Sequence, residues 1–197
     1  MTCKQQYEKA LRLARQAEKT GGPLPLALLE DSANSGYVPA VYALATWYLH
    51  GKGVRKNYKK AFSLLKTAAN ERFAAAEYDL AVSYELGKGV ERSEKMAWFY
   101  YLQAANDGDL DAQTEVARCY FHGIGTQQNR SKAAEWYEKA ATRGDVEAQY
   151  DIARAYELGE GVTKDVGKAL SWYKKAAKKG DEDAQKALAD LQGAQCA

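Results

Sequence analysis

The sequence predicts an all-α solenoid, a stack of about five helix pairs closed by one further helix. Three observations predict it. Gly51, Gly87, Gly123 and Gly159 recur every 36 residues, as do Gly53, Gly89, Gly125 and Gly161. Within one such unit the apolar residues fall three and four apart, first Ala148, Ile152, Ala153 and Tyr156, then Ala169, Trp172, Tyr173, Ala176 and Ala177. Each set is one face of a helix. Small residues also hold fixed columns, Ala40, Ala76, Ala112, Ala148 and Ala184 in the first helices and Ala61, Ala97, Ala133 and Ala169 in the second. Alanine at a contact lets two helix backbones approach closely.

The elements follow in order along a single expected domain, 1–197. Residues 4–36 form a degenerate N-terminal pair. Its first helix, 4–19, puts Tyr7, Ala10, Leu11, Ala14 and Ala17 on one face, and its second, 24–35, follows Thr20-Gly-Gly-Pro. Four full units occupy 37–72, 73–108, 109–144 and 145–180. In each, a loop such as Gly87-Lys88-Gly89-Val90 joins the two helices. Gly108, Gly144 and Gly180 stand where the second helices should end in a left-handed residue. Asp109, Asp145 and Asp181 follow as N-caps of the next helix. Arg72 replaces that terminal glycine in one unit, and Gly125-Thr126-Gln127-Gln128 replaces the usual Gly-Val and charged pair in another. Residues 181–192 repeat only a first helix and should cap the stack, leaving 193–197 as a frayed tail.

Composition excludes several classes. Twenty-eight Lys and Arg against 26 Asp and Glu leave a net charge of +2 and no long block of one sign, so nucleic acid is not an expected partner. The N-terminus turns polar at once, which argues against a signal segment. The longest apolar run, Ala40 to Leu49, is half of what a membrane span needs. Cys3, Cys119 and Cys196 show neither disulfide nor metal-knuckle spacing, and a reducing cytoplasm fits best.

The pattern Ala-x-x-x-Leu-Ala-x-x-Tyr-x-x-Gly-x-Gly-Val followed by Lys-Ala-x-x-Trp-Tyr-x-Lys-Ala-Ala-x-x-Gly resembles the Sel1-like repeat, a relative of the tetratricopeptide repeat, with the clearest match in 146–180. The tetratricopeptide period of about 34 residues lacks the Gly-x-Gly loop. The resemblance implies a right-handed α-α superhelix with first helices lining its concave side. It also implies adaptor, assembly, immunity or host-interaction roles, commonly in bacteria, and no shared enzymatic activity.

No constellation of residues suggests chemistry. The Gly-x-Gly loops lack the strand and longer glycine pattern of a phosphate cradle. His50 and His122 share a column with Leu86 and Leu158, so packing or groove lining is the expected role, and neither is a candidate metal ligand. Cys119 shares one with Trp47, Ser83 and Ala155 and reads as a small, semi-buried side chain. No catalytic residue, metal or cofactor is expected.

The first helices leave a second stripe, two residues on from the core stripe of Ala40, Leu44, Ala45 and Tyr48. Along the array it reads Tyr42, Tyr78, Thr114 and Tyr150, then Thr46, Val82, Arg118 and Arg154, then Leu49, Glu85, Phe121 and Glu157. Tyrosine and arginine are enriched where proteins grip one another. The expected function is therefore a non-catalytic protein–protein interaction module, monomeric or weakly dimeric, holding a partner peptide or helix in this groove. The alternatives at this stage are a small-molecule binder for a cell-wall fragment or similar ligand, and a stripe whose arginine merely pairs with Glu115, Glu85 or Glu157 while its tyrosines pack between repeats.

Overall fold

The computed structural model describes residues 1–195 and contains eleven helices and no strand among them. They are α1 (Cys3–Thr20), α2 (Leu26–Asn34), α3 (Val38–His50), α4 (Tyr58–Asn70), α5 (Ala74–Leu86), α6 (Glu94–Asn106), α7 (Leu110–His122), α8 (Arg130–Thr142), α9 (Val146–Leu158), α10 (Val166–Lys178) and α11 (Glu182–Gln195). They fall into two compact units, Met1–Tyr100 and the chain from Tyr101 onward, with the division inside α6.

Two boundaries differ from expectation. Helix α2 starts at Leu26 rather than 24, because Leu24 precedes Pro25 and a residue before proline is driven out of the helical region. Helix α11 continues to Gln195, three residues past the expected end at 192. Cys196 and Ala197, the end of the expected tail, lie outside the described residues.

The columns of small residues are the core. In the first unit Leu29, Leu44, Leu65 and Leu80 fill the space between Ala10, Ala40, Ala61 and Ala76, all essentially inaccessible. From Tyr101 onward, Val116, Ile152, Tyr137 and Tyr173 do the same between Ala112, Ala133, Ala148 and Ala169.

Each turn is fixed by its own hydrogen bonds. Asp109, Asp145 and Asp181 accept from the amides of Ala112, Ala148 and Ala184 at 2.9, 2.7 and 2.7 Å. Gly108, Gly144 and Gly180 take φ of +93°, +100° and +96°, and the next amide reaches back to close the turn, as Asp145 does to Ala140 at 3.1 Å. Arg72 holds the same conformation at φ +57° without being glycine, which costs about 1 kcal/mol. The second helices carry caps the sequence reading passed over: Asn57, Asn129 and Asp165 accept from the amides of Lys60, Lys132 and Lys168, and Ser93 from that of Met96.

The second glycine of the Gly-x-Gly loop does more than turn the chain. A Cβ on Gly161 would lie 2.1 Å from the carbonyl oxygen of Arg130, and one on Gly89 would lie 2.2 Å from that of Tyr58. These loops press on the backbone at the start of the second helix one repeat earlier, so glycine is required there by space as well as by φ.

Candidate functional site

The twelve stripe residues do not form a freely exposed face. In α3 the core stripe is joined by buried Val41 and Trp47, so little of the helix surface remains. Tyr42 packs on Phe73 with ring centroids 5.1 Å apart, the Thr46 hydroxyl donates to the Ala43 carbonyl at 2.8 Å, and Leu49 is half-buried against the core. Tyr78, Val82 and Glu85 in α5 are half-buried too.

From Tyr101 onward the stripe is more varied. Thr114 is buried and takes no part in an open face. Arg118 donates from Nε to Glu115 at 2.7 Å, one of the pairings its neighbourhood allowed. Tyr150 packs on Tyr173 at 5.7 Å, and the Tyr173 hydroxyl donates to Glu157 at 2.7 Å. Half of this stripe is therefore cement between neighbouring helices. Arg154 is exposed and Phe121 half-exposed.

His50 and His122, with Leu86 and Leu158, occupy an exposed column rather than a packing one, Leu86 being 56% and Leu158 53% accessible. Its members sit immediately before the glycine that ends each first helix, where the chain already turns away. Cys119 is fully buried. Among the described residues no cluster of His, Cys, Asp or Glu could hold a metal, and no helix is long and apolar enough to cross a membrane.

The structure does gather part of the stripe around a cavity of about 250 Å³ between α7, α8 and α9. Arg118, Phe121 and His122 of α7 face Tyr137 of α8 and Asp151 and Arg154 of α9 across it. Asp151 and Tyr137 were not singled out in the sequence. Tyr137 is buried, and its hydroxyl hydrogen-bonds the Asp151 carboxyl. Burial, opposed by that hydrogen bond, pushes the Asp151 carboxyl up to about 6, with the carboxylates of Glu147 and Asp145 adding to the effect and Arg154 working against it. Glu147 is also raised, by burial first, then by Asp145 and Glu115, against Arg118. The available signal was a column of carboxylates, Asp79, Glu115 and Asp151, recurring every 36 residues along the first helices.

The chain is similar to bacterial repeat proteins of known structure. It is 30% identical to a protective antigen of uropathogenic Escherichia coli displaying an SLR fold, with a TM-score of 0.86, covering 97% of this chain and 44% of that one. It is 32% identical to a Sel1 repeat protein from Oxalobacter formigenes, with a TM-score of 0.79, covering 84% of this chain and 48% of that one. The chain thus spans less than half the length of either. An immunity protein from Pseudomonas aeruginosa shares the fold at 24% identity and a TM-score of 0.53, over 93% of this chain and 72% of that one. No curated protein matches the sequence. The model of the Sel1 repeat matches residues 1–19, 38–72, 74–109, 110–145 and 146–181, which is most of the chain. With the glycine-ended first helices, the Asp caps and the alanine columns in place, the chain belongs to the Sel1 repeat family.

Proposed function

We propose that the protein is a non-catalytic interaction module that binds a segment of a partner protein along the stripe of its first helices. The observation that carries this reading is the face of α7 and α9, where Phe121 and Arg154 stay accessible beside a cavity. An aromatic and an arginine on a rigid frame give contact area and directional hydrogen bonds at small entropic cost. The bacterial immunity protein that shares the fold fits such a role, as do scaffolding and assembly, and a cytoplasmic setting suits Cys3 and Cys119, neither of which forms a disulfide.

The small-ligand alternative is less well supported. The cavity of about 250 Å³ falls below the roughly 300–1,000 Å³ of typical small-molecule sites, and is closer to the size of one inserted side chain. The reading is tested by placing a photo-crosslinking amino acid at Arg154 on the stripe, and separately at Lys174 on an exposed part of α10. Crosslinks to one partner from position 154 and not from 174 are expected; the reverse pattern moves the site off the first helices.

A further inference from the structure

We propose that the cavity between α7, α8 and α9 is the receptor for one basic side chain, a lysine or arginine, of the bound partner, with the carboxylates of Asp151 and Glu147 as its counter-charges. The inference deepens the interaction reading above and rests on it.

Charge decides between a cationic and an anionic occupant. Two of the three arginines lining the cavity are already engaged, Arg118 by Glu115 and Arg130 by Glu160. Arg130 also lies over the Phe121 ring, 5.1 Å from its centroid. With those pairs set aside, Arg154 faces two carboxylates, Asp151 and Glu147. Counted with Glu115, four carboxylates stand against three arginines around the cavity, and an incoming anion would sit beside both Asp151 and Glu147.

The surroundings of Asp151 point the same way. It faces Tyr137 from α8 and Glu147, Asp145 and Arg154 from α9 and its cap, while Glu115 and Arg118 of α7 act on Glu147. Of these, Tyr137 supplies its hydrogen bond and the nearby acids disfavour its charge. A carboxylate with oxygen lone pairs to spare, held in a partly buried cavity, gains most from a cationic donor.

The experiment titrates the full chain, carrying nitrogen-15 throughout and a carbon-13 label in aspartate, with Nα-acetyl-lysine N-methylamide and Nα-acetyl-arginine N-methylamide. The matching norleucine and glutamate derivatives serve as neutral and anionic probes. Either cationic probe is expected to move the Asp151 carboxyl resonance saturably and to lower its midpoint by about one pH unit or more. Asp151→Asn should abolish the saturable shifts of the surrounding amides. That variant removes a charge the fold holds at a cost, so it folds at least as well as the parent and loss of binding is not loss of structure. Shifts by the norleucine or glutamate probe equal to those by the basic ones, or no saturable shift from either basic probe, would overturn the proposal. No partner is needed for this titration, so a failed crosslink from Arg154 leaves its outcome standing, and a failed titration leaves the stripe to be judged by the crosslink.

Discussion

Asp151 is the residue whose energetics are most at odds with its surroundings. An aspartate that titrates near 3.8 when unfolded and at about 6 when folded is stabilising in its protonated form. Below pH ~4 the carboxyl is neutral in both states and the fold bears no penalty. As pH rises from about 4 to about 6 the unfolded chain ionises first, and stability falls by about 2–3 kcal/mol before levelling off. Asp151→Asn should therefore stabilise the protein by about 1–3 kcal/mol at pH 8. The gain should fade towards pH 4, as read by urea denaturation at a series of pH values. Two glycines give a second residue-scale contrast. Gly159→Ala meets the Lys164 Cβ at 3.4 Å and should cost about 1 kcal/mol for its left-handed φ of +75°. Gly161→Ala at φ +77° meets backbone at 2.1 Å and should cost at least twice as much by the same measurement. The sequence shows both as equal members of a Gly-x-Gly motif. Their difference arises from a neighbour about thirty residues away along the chain, which local patterning does not reveal.

At the scale of the helix, repetition made most of the structure legible. Caps, terminal glycines and alanine columns are local requirements, so each copy of the repeat states them again. The same argument extends to pieces the sequence reading did not use. Gln113, Gln149 and Gln185 each send a side-chain N–H to a carbonyl eight residues earlier, that of Ala105, Ala141 and Ala177, tying a first helix to the last turn of the second helix before it. Asp145→Ala should cost about 1 kcal/mol through its cap. Gln149→Ala should cost less, about 0.5 kcal/mol, because the Ala141 carbonyl that loses its side-chain donor keeps the Gly144 amide at 3.0 Å. Thermal unfolding of both variants checks the order. The stripe was the less legible part. Counting two residues on from a core stripe identifies a different face but not its exposure. First helices contact neighbours on more than one side, which buries Thr114 and draws Tyr150 and Glu157 into contacts with Tyr173.

For the molecule as a whole, stability in a repeat array is the sum of each repeat's own stability and its nearest-neighbour contacts. Ile152→Ala removes a side chain with no exposed surface and should cost about 3 kcal/mol. In hydrogen exchange that loss should be concentrated in α8, α9 and α10, with the helices of Met1–Tyr100 much less affected; uniform loss of protection throughout the chain would mean a more cooperative fold than the repeat implies. The most direct test of the account is affinity capture from the source cell with three forms: intact protein, a stripe variant carrying Phe121→Ala and Arg154→Glu, and a second-helix variant carrying Glu135→Lys and Lys174→Glu, each confirmed folded. The account expects one partner retained by the intact and second-helix forms, with its affinity for the stripe variant reduced by about tenfold or more. Equal retention by the stripe variant, with loss in the second-helix variant, would contradict it.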